Sequence, residues 1–309
     1  QEDSVIMNEA SLRRGSYKTM YYHSYDIAEE SLISNFRNNR IIAILHTEIA
    51  NPLKKPEVKR KEGLDYSKLD ADGIIQVGSE VDDNTILVGI LSPVKGTKDY
   101  RDISVEPKRG QIGRVDAVYR YGTADGLRGV KIRIVEDRSP TIGDKMGSRH
   151  SQKGTIGAIL KEEDMPFTAK GTRPDIIFNP HGIPTRMTTG QFIEMASNRL
   201  GLSLGTFTDA TPFTAQNRMG ELRAALIQRG FEPYGSEIMY NGMTGEMMES
   251  EIFTGPIYYQ RLKQMTHDKI NYRSTGPKKA LTRQPTQGRS DEGGMRIGEM
   301  ERDGLIAHG

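Results

Sequence analysis

The sequence has no cysteine and no tryptophan among its 309 residues. Without thiols there is no disulfide scaffold, no thiolate zinc site and no cysteine nucleophile in this stretch. An oxidising compartment is therefore not implied. No apolar run approaches the roughly 18 residues that a membrane-spanning helix needs, and the first residues, QEDSVIMNEA, do not read as a secretory signal. Neither sign of charge is in excess. The chain has 43 Lys and Arg against 41 Asp and Glu, a net of +2, so any basic surface must be local. Catalytic motifs are scarce. No HExxH or P-loop pattern occurs, the six His are scattered without a zinc-like spacing, and no serine nucleophile elbow is expected.

What remains is a polar chain with 35% apolar residues, enough for cores. At roughly 150 residues per domain its length suggests about two domains. It starts without Met and stops at IAHG, and is expected to be a piece of something longer. An apolar run at 41–45 precedes a basic linker at 51–63, whose two prolines oppose helix or central strand. From 64 to 139 the texture is β. Residues 85–91 read as a buried strand. Val115, Ala117 and Tyr119 alternate with polar partners, as do Val130, Ile132 and Ile134, and the turn-rich 121–129 between them predicts a hairpin. Helices are expected at 188–201, with Thr188 or Thr189 as cap and Gly201 as stop, at 215–229 ending on Gly230, and at 257–272 after Pro256. Residues 274–296 lack periodicity and predict a long loop.

Charge concentrates in two places. In 141–161, Lys145, Arg149, Lys153 and Lys161 face the single acid Asp144, with Gly143, Gly147, Gly154 and Gly157 interleaved. In 260–290, eight basic residues (Arg261, Lys263, Lys269, Arg273, Lys278, Lys279, Arg283 and Arg289) face Asp268 alone. Either stretch alone reads as solvated surface. Together, with glycines that let backbone N–H groups approach phosphates, they point to a polyanion. Glu2-Asp3 is an adjacent carboxylate pair, which spacing alone reads as a surface turn.

At GDKMGSRHSQKGT (143–155) the pattern becomes specific. It resembles the signature loop of the second-largest subunit of multisubunit DNA-dependent RNA polymerases. Five further blocks agree in order: QEDSVIMNEASLRRG (1–15), EEDMPFTAKGTRPDIIFNPHGIPTRMT (162–188), MYNGMTGE (239–246), GPIYYQRL (255–262) and TRQPTQGRSDEGGMRIGEMERDGLIAHG (282–309). The last resembles the eukaryotic, archaeal or large-DNA-virus branch.

The resemblance implies an α+β, mostly β fold. A wall or flap β domain (20–139) is inserted in a hybrid-binding domain (1–19 and 140–309) that contains a double-psi β-barrel. It implies a nucleotidyltransferase that binds the DNA–RNA hybrid in transcription, and inactivity of this chain alone. By matching position, Lys145, Lys153 and Arg186 become the catalytic-centre cations, and Gln264, Arg149 and Arg273 nucleotide or phosphate contacts. Lys278, Arg283 and Arg289 become nucleic-acid contacts. Glu2 and Asp3 lie by a second Mg²⁺ shared with the nucleotide and the largest subunit, which supplies an aspartate triad. No zinc is expected within this stretch. The implied partners are the largest and other polymerase subunits, template DNA, nascent RNA and nucleoside triphosphates, with no membrane. The implied place is intracellular: nucleus, or cytoplasm or virion for archaeal or viral enzymes. Three positions depart from the family. Gly147 replaces Ala or Ser, Ser151 replaces a frequent Gly, and Gln264 replaces a frequent His. Glutamine cannot act as a general acid, but its amide still bonds a phosphate oxygen. The competing reading is a non-catalytic nucleic-acid-binding module that uses the two basic stretches.

Overall fold

Burial along the first strand, β1 (Ser4–Asn8), turns Val5 and Met7 into a core while Ser4 and Ile6 stay partly exposed. Asn8 then caps α1 (Glu9–Arg13), its side-chain oxygen accepting from the Ala10 amide at 2.9 Å. The computed structural model describes residues 2–33, 36–37, 40–41, 44–55, 58–94, 99–213 and 218–309. After β2 (Thr19–Ala28), the strands β3 (Ser31–Ile33), β4 (Phe36–Arg37), β5 (Arg40–Ile41) and β6 (Ile44–His46) form two antiparallel pairs, β3 with β6 and β4 with β5. Residues 42 and 43 of the apolar run at 41–45, and Pro56 of the linker, lie outside the described residues. Short strands β7 (Glu48–Ile49), β8 (Glu80–Val81), β9 (Ile90–Pro93) and β10 (Tyr100–Asp102) lead to β11 (Gly113–Gly122) and β12 (Arg128–Arg138). Next come β13 (Lys145–Ser148), β14 (Lys153–Leu160), β15 (Phe167–Thr168), β16 (Ile176–Phe178), α2 (Gly182–Arg186), α3 (Gly190–Leu204) and α4 (Arg218–Gln228). The chain continues through β17 (Ser236–Tyr240), β18 (Met247–Phe253), β19 (Tyr259–Arg261) and α5 (Glu299–His308). The class is α+β and mostly β, as expected. Among the described residues no helix is long and apolar enough to cross a membrane.

Two compact units divide the chain: Gln1–Lys18 with Ser139–Asp268, and Thr19–Arg138 with Lys269–Gly309. In the second unit an antiparallel sheet runs in the order β2-β12-β11-β8. The predicted hairpin is its centre, with Val118 opposite Ile132. A register shift between Val115 and Ala117 interrupts the simple alternation, and Tyr119 faces out. Val130, Ile132 and Ile134 are buried with Ile74, Ile75, Ile86, Leu87 and Val88. The strand expected at 85–91 is shorter than its apolar run. Only Ile90–Pro93 forms one, while Thr85 and Val88 make single bridges to Asp65, Ile74 and Val105. That segment is buried by packing in one core with Val130, Ile132 and Ile134 rather than by extended pairing. Tyr66 donates to Asp102 there at 2.6 Å, and burial together with that carboxylate pushes the phenol pKa up. Residues 274–296 hold no regular element, only single bridges such as Lys278 to Pro285, as the sequence predicts.

In the first unit a five-stranded sheet runs β16-β1-β14-β13-β19. β1 and β14 are parallel, and the other neighbours are antiparallel. Val5, Met7, Leu12, Met146, Ile156 and Tyr259 form its core. A second cluster joins Ala196 of α3 to Leu222 and Leu226 of α4.

Three helix expectations change. α3 runs past Gly201 and stops at Gly205, which takes the left-handed conformation at φ 71°. Gly201 serves packing instead, since a Cβ there would lie 2.8 Å from the Thr206 carbonyl oxygen. α4 buries Leu222 and Leu226 as read, but Met219 is exposed, and residues 215–217 of the predicted start lie outside the described residues. No helix forms over 257–272. Tyr259–Arg261 pairs with β13 as a strand, and Thr266–Asp268 is a single 3₁₀ turn. Sheet pairing and the burial of Tyr259 override a helical spacing of Tyr258, Leu262 and Met265.

Candidate functional site

Strand polarity assembles the site. Because β1 and β14 run parallel, with Ser4 opposite Thr155, their first residues lie side by side. β16 runs against β1, with Val5 opposite Phe178, so its last residue ends at the same edge. Three chain segments therefore converge there: Glu2 and Asp3 before β1, Lys153 at the start of β14, and the segment from Asn179 to Arg186 after β16. A cavity of about 50 Å³ marks the junction, lined by Asp3, Gln152, Lys153, Asn179, Arg186 and Gln191 among others, over Val5, Phe178 and Tyr259. Phe178 meets Tyr259 edge-on at 5.1 Å. Gly154 permits the closeness, since a Cβ there would sit 2.5 Å from the Asp3 carbonyl oxygen.

The carboxylates discounted from spacing are engaged. Asp3 Oδ1 lies 2.5 Å from Arg186 Nη1, and Thr185 Oγ1 donates to Glu2 Oε1 at 2.9 Å. The hydrogen bond from Arg186 holds the Asp3 carboxyl below its ordinary range, with Lys153 adding to the effect. Asp3 therefore stays ionised through the neutral range.

Register places the two lysines on one face of the β13–β14 hairpin. Lys145 stands opposite Thr155 and Gly147 opposite Lys153, and residues two apart share a face. Lys145 also donates its amide to the Gln264 carbonyl at 3.2 Å, which sets Gln264 beside it. His267, three residues after Gln264, lies in the 3₁₀ turn Thr266–Asp268.

Asp144, read from sequence only as the lone acid of its stretch, anchors this hairpin. It is 1% exposed and lies 2.6 Å from Arg261, while accepting from the Thr266 and Thr141 amides at 2.9 and 3.1 Å. Burial alone raises its pKa, but those amides and the guanidinium outweigh it, and the net shift is downward.

Arg149 stacks over Tyr258 at 4.2 Å and lies 3.6 Å from Glu194. The remaining predicted residues belong to the second unit. There Arg273 donates to the Glu292 carbonyl at 2.7 Å, Lys278 bridges to Pro285, Arg283 adopts φ 54°, and Arg289 packs against Gly110. The structure thus gathers Glu2, Asp3, Lys153 and Arg186 around one cavity, with Lys145 and Gln264 paired along the adjoining strand. Sequence reasoning missed Gln152, Asn179 and Gln191 as cavity walls, though the first two sit inside quoted blocks. Glu194 gave no signal, since it reads as one more polar residue on a helix.

One serine pattern has a structural answer. Gly201-Leu202-Ser203-Leu204-Gly205 has the GxSxG spacing, but it forms the end of α3, where Ser203 donates to the Leu200 carbonyl at 2.8 Å. A nucleophile elbow needs a strand-to-helix turn, which is absent here.

Two carboxylates, an arginine and a lysine are thus brought together at one cavity. The chain belongs to the family described as RNA polymerase Rpb2, domain 6, whose family model matches residues 1–291. It is 43% identical over 318 residues to DNA-directed RNA polymerase II subunit RPB2 of Encephalitozoon cuniculi, and 42% over 317 to DNA-directed RNA polymerase II subunit 2 of Arabidopsis thaliana. It is 39% identical over 318 residues to DNA-directed RNA polymerase subunit Rpo2 of Saccharolobus shibatae. Each alignment covers 100% of this chain but only 26 or 27% of the relative, so the chain spans about a quarter of their length.

Proposed function

We propose that this chain is the hybrid-binding, active-centre part of the second-largest subunit of a DNA-directed RNA polymerase. In this reading it forms one side of a nucleotidyl-transfer site inside the cell, with the aspartate triad coming from the largest subunit. Residues 1–19 and 140–309 are the hybrid-binding domain with its double-psi β-barrel, and 20–139 the wall. The breaks between the two units at 18/19 and 138/139 support the wall boundary, whereas Lys269–Gly309 groups with Thr19–Arg138 rather than with Ser139–Asp268. The observation that carries the proposal is the convergence of Glu2, Asp3, Lys153 and Arg186, from three distant parts of the chain, on one cavity.

Phosphoryl and nucleotidyl transfer depends on positioning and on neutralising charge. In this reading Lys153 and Arg186 take the triphosphate of the incoming nucleotide, and Lys145 the RNA 3′ end. The Gln264 amide offers a hydrogen bond to a phosphate oxygen. Arg149 and Arg273 add phosphate contacts, and Lys278, Arg283 and Arg289 hold hybrid or template backbone. Glu2 and Asp3 fit a magnesium ion, which is typically bound by one or two carboxylates and completed by substrate phosphates. Among the described residues no group of three or more His, Cys, Asp or Glu is placed to hold a metal. That ion, when bound, would stabilise charge on the leaving pyrophosphate oxygen.

Arg186→Ala and Lys145→Ala, built into the assembled enzyme, are expected to slow single-nucleotide addition by about a hundredfold or more, with subunit composition unchanged on size-exclusion chromatography. Near-normal addition by both variants would overturn the proposal.

A further inference from the structure

We propose that Glu194 is a positioning residue of this site, acting through the tip of the β13–β14 hairpin; the inference rests on the functional reading above. Glu194 lies on α3 with its side chain 10% exposed, and both carboxylate oxygens are used. Oε2 lies 2.5 Å from His150 Nε2. Oε1 accepts the Tyr258 amide at 3.1 Å and faces Arg149 Nη1 at 3.6 Å. One carboxylate thus joins three elements: the helix α3, the hairpin tip at 149–150, and the entry to β19.

Each of those elements also contributes to the cavity. α3 supplies Gln191, β19 supplies Tyr259, and the tip leads directly into Gln152 and Lys153. The tip needs an external hold. Ser151 adopts φ 57°, a left-handed conformation that costs a non-glycine residue about 1–2 kcal/mol. Local bonds close the turn, from the Ser148 amide to the Gln152 carbonyl at 2.8 Å and from the His150 amide to Ser148 Oγ at 3.2 Å. They do not fix the turn against the rest of the sheet; His150 and Arg149 do, both through Glu194. Its ring sits between Glu194 and Gly190, where a Cβ would approach Nδ1 to 3.2 Å. Gly190 therefore leaves room for the imidazole, and Glu194 holds it there. Lys153 begins the strand three residues later, so a displaced tip re-aims its ammonium relative to Asp3 and Arg186. Misplacement of about 1 Å is enough to cost roughly a hundredfold in rate.

The test uses the whole polymerase carrying Glu194→Ala, Glu194→Gln, His150→Ala or the double alanine variant. Single-nucleotide addition is measured per titrated active site. Glu194→Ala and His150→Ala are each expected to raise the nucleotide KM and lower kcat, together by about tenfold to a hundredfold in kcat/KM. The double variant is expected to be no worse than Glu194→Ala alone, because the His150 contact is one of those that Glu194 makes. Glu194→Gln, which keeps an oxygen for the Tyr258 amide, is expected to recover part of the loss. His150→Ala keeps the test alive if Glu194→Ala fails to assemble, because it removes one link only. Wild-type kcat and KM per site in the single variants, with only heat stability lowered, would make Glu194 a structural residue and overturn the proposal. Additive losses in the double variant overturn it too. Arg186→Ala in the same assembly is the reference. If that variant adds nucleotides at the wild-type rate, the functional reading itself has failed.

Discussion

Asp144 shows how much one side chain decides here. As the single acid in a lysine-rich stretch it looks incidental, yet it closes the start of β13 by binding Arg261 and two backbone amides. Arg261 is itself nearly buried, at 4% side-chain exposure, so removing the charge deprives a desolvated guanidinium of its carboxylate. Asp144→Asn is expected to destabilise the first unit by about 3–5 kcal/mol. The sign of the pH dependence follows from the lowered pKa. Stabilisation from the Asp144 charge is complete at neutral pH, above the ordinary value of 3.8, and is lost as pH falls through the lower folded value. Thermal unfolding of wild type and Asp144→Asn between neutral pH and about pH 3 checks both points. The wild type should lose its advantage only at the acid end, and an equal gap at every pH would contradict this. Legibility at this scale was uneven. Lys145, Lys153 and Arg186 stood out in the sequence because their blocks are distinctive. The Asp3–Arg186 pair was not, since an interaction across the whole first unit leaves no trace in local spacing. Glu194 was invisible, because its partners come from two other elements.

Elements were legible where local pattern and tertiary pairing agreed. The β11–β12 hairpin is the clearest case, with alternating Val130, Ile132 and Ile134 and a turn-rich link predicting both strands and their partnership. The helix expected at 257–272 failed because Tyr259–Arg261 pairs with β13 and buries Tyr259, a residue outside the helical stripe of Tyr258, Leu262 and Met265. Tyr259 points into the core beside Val5 and Ile156, and the sheet edge at β13 was available to it. α3 was found, but its end was misplaced, because a glycine inside a helix looks the same in sequence as one that stops it. Ile132→Ala tests the hairpin as an element. The residue is fully buried, so the substitution is expected to destabilise the second unit by about 2–5 kcal/mol. A chemical-denaturation midpoint indistinguishable from wild type would mean that this sheet is not the core of the unit.

Over the whole molecule a net charge of +2 conceals local specialisation. The Gly/Lys stretch at 141–161 lies in the first unit and carries the hairpin with Lys145 and Lys153, while Arg273, Lys278, Arg283 and Arg289 lie in the second. Composition found both stretches but could not say that the first builds a cavity with carboxylates from the start of the chain. That step needed the parallel pairing of β1 with β14, a contact between residues about 150 positions apart. The central proposal is that nucleotide phosphates are received in that cavity. The most direct test is the rate of single-nucleotide addition by the assembled polymerase carrying Lys153→Ala, on a preformed DNA–RNA scaffold at saturating nucleotide. A fall of about a hundredfold or more is expected, with the scaffold still bound; a rate equal to wild type would contradict the proposal.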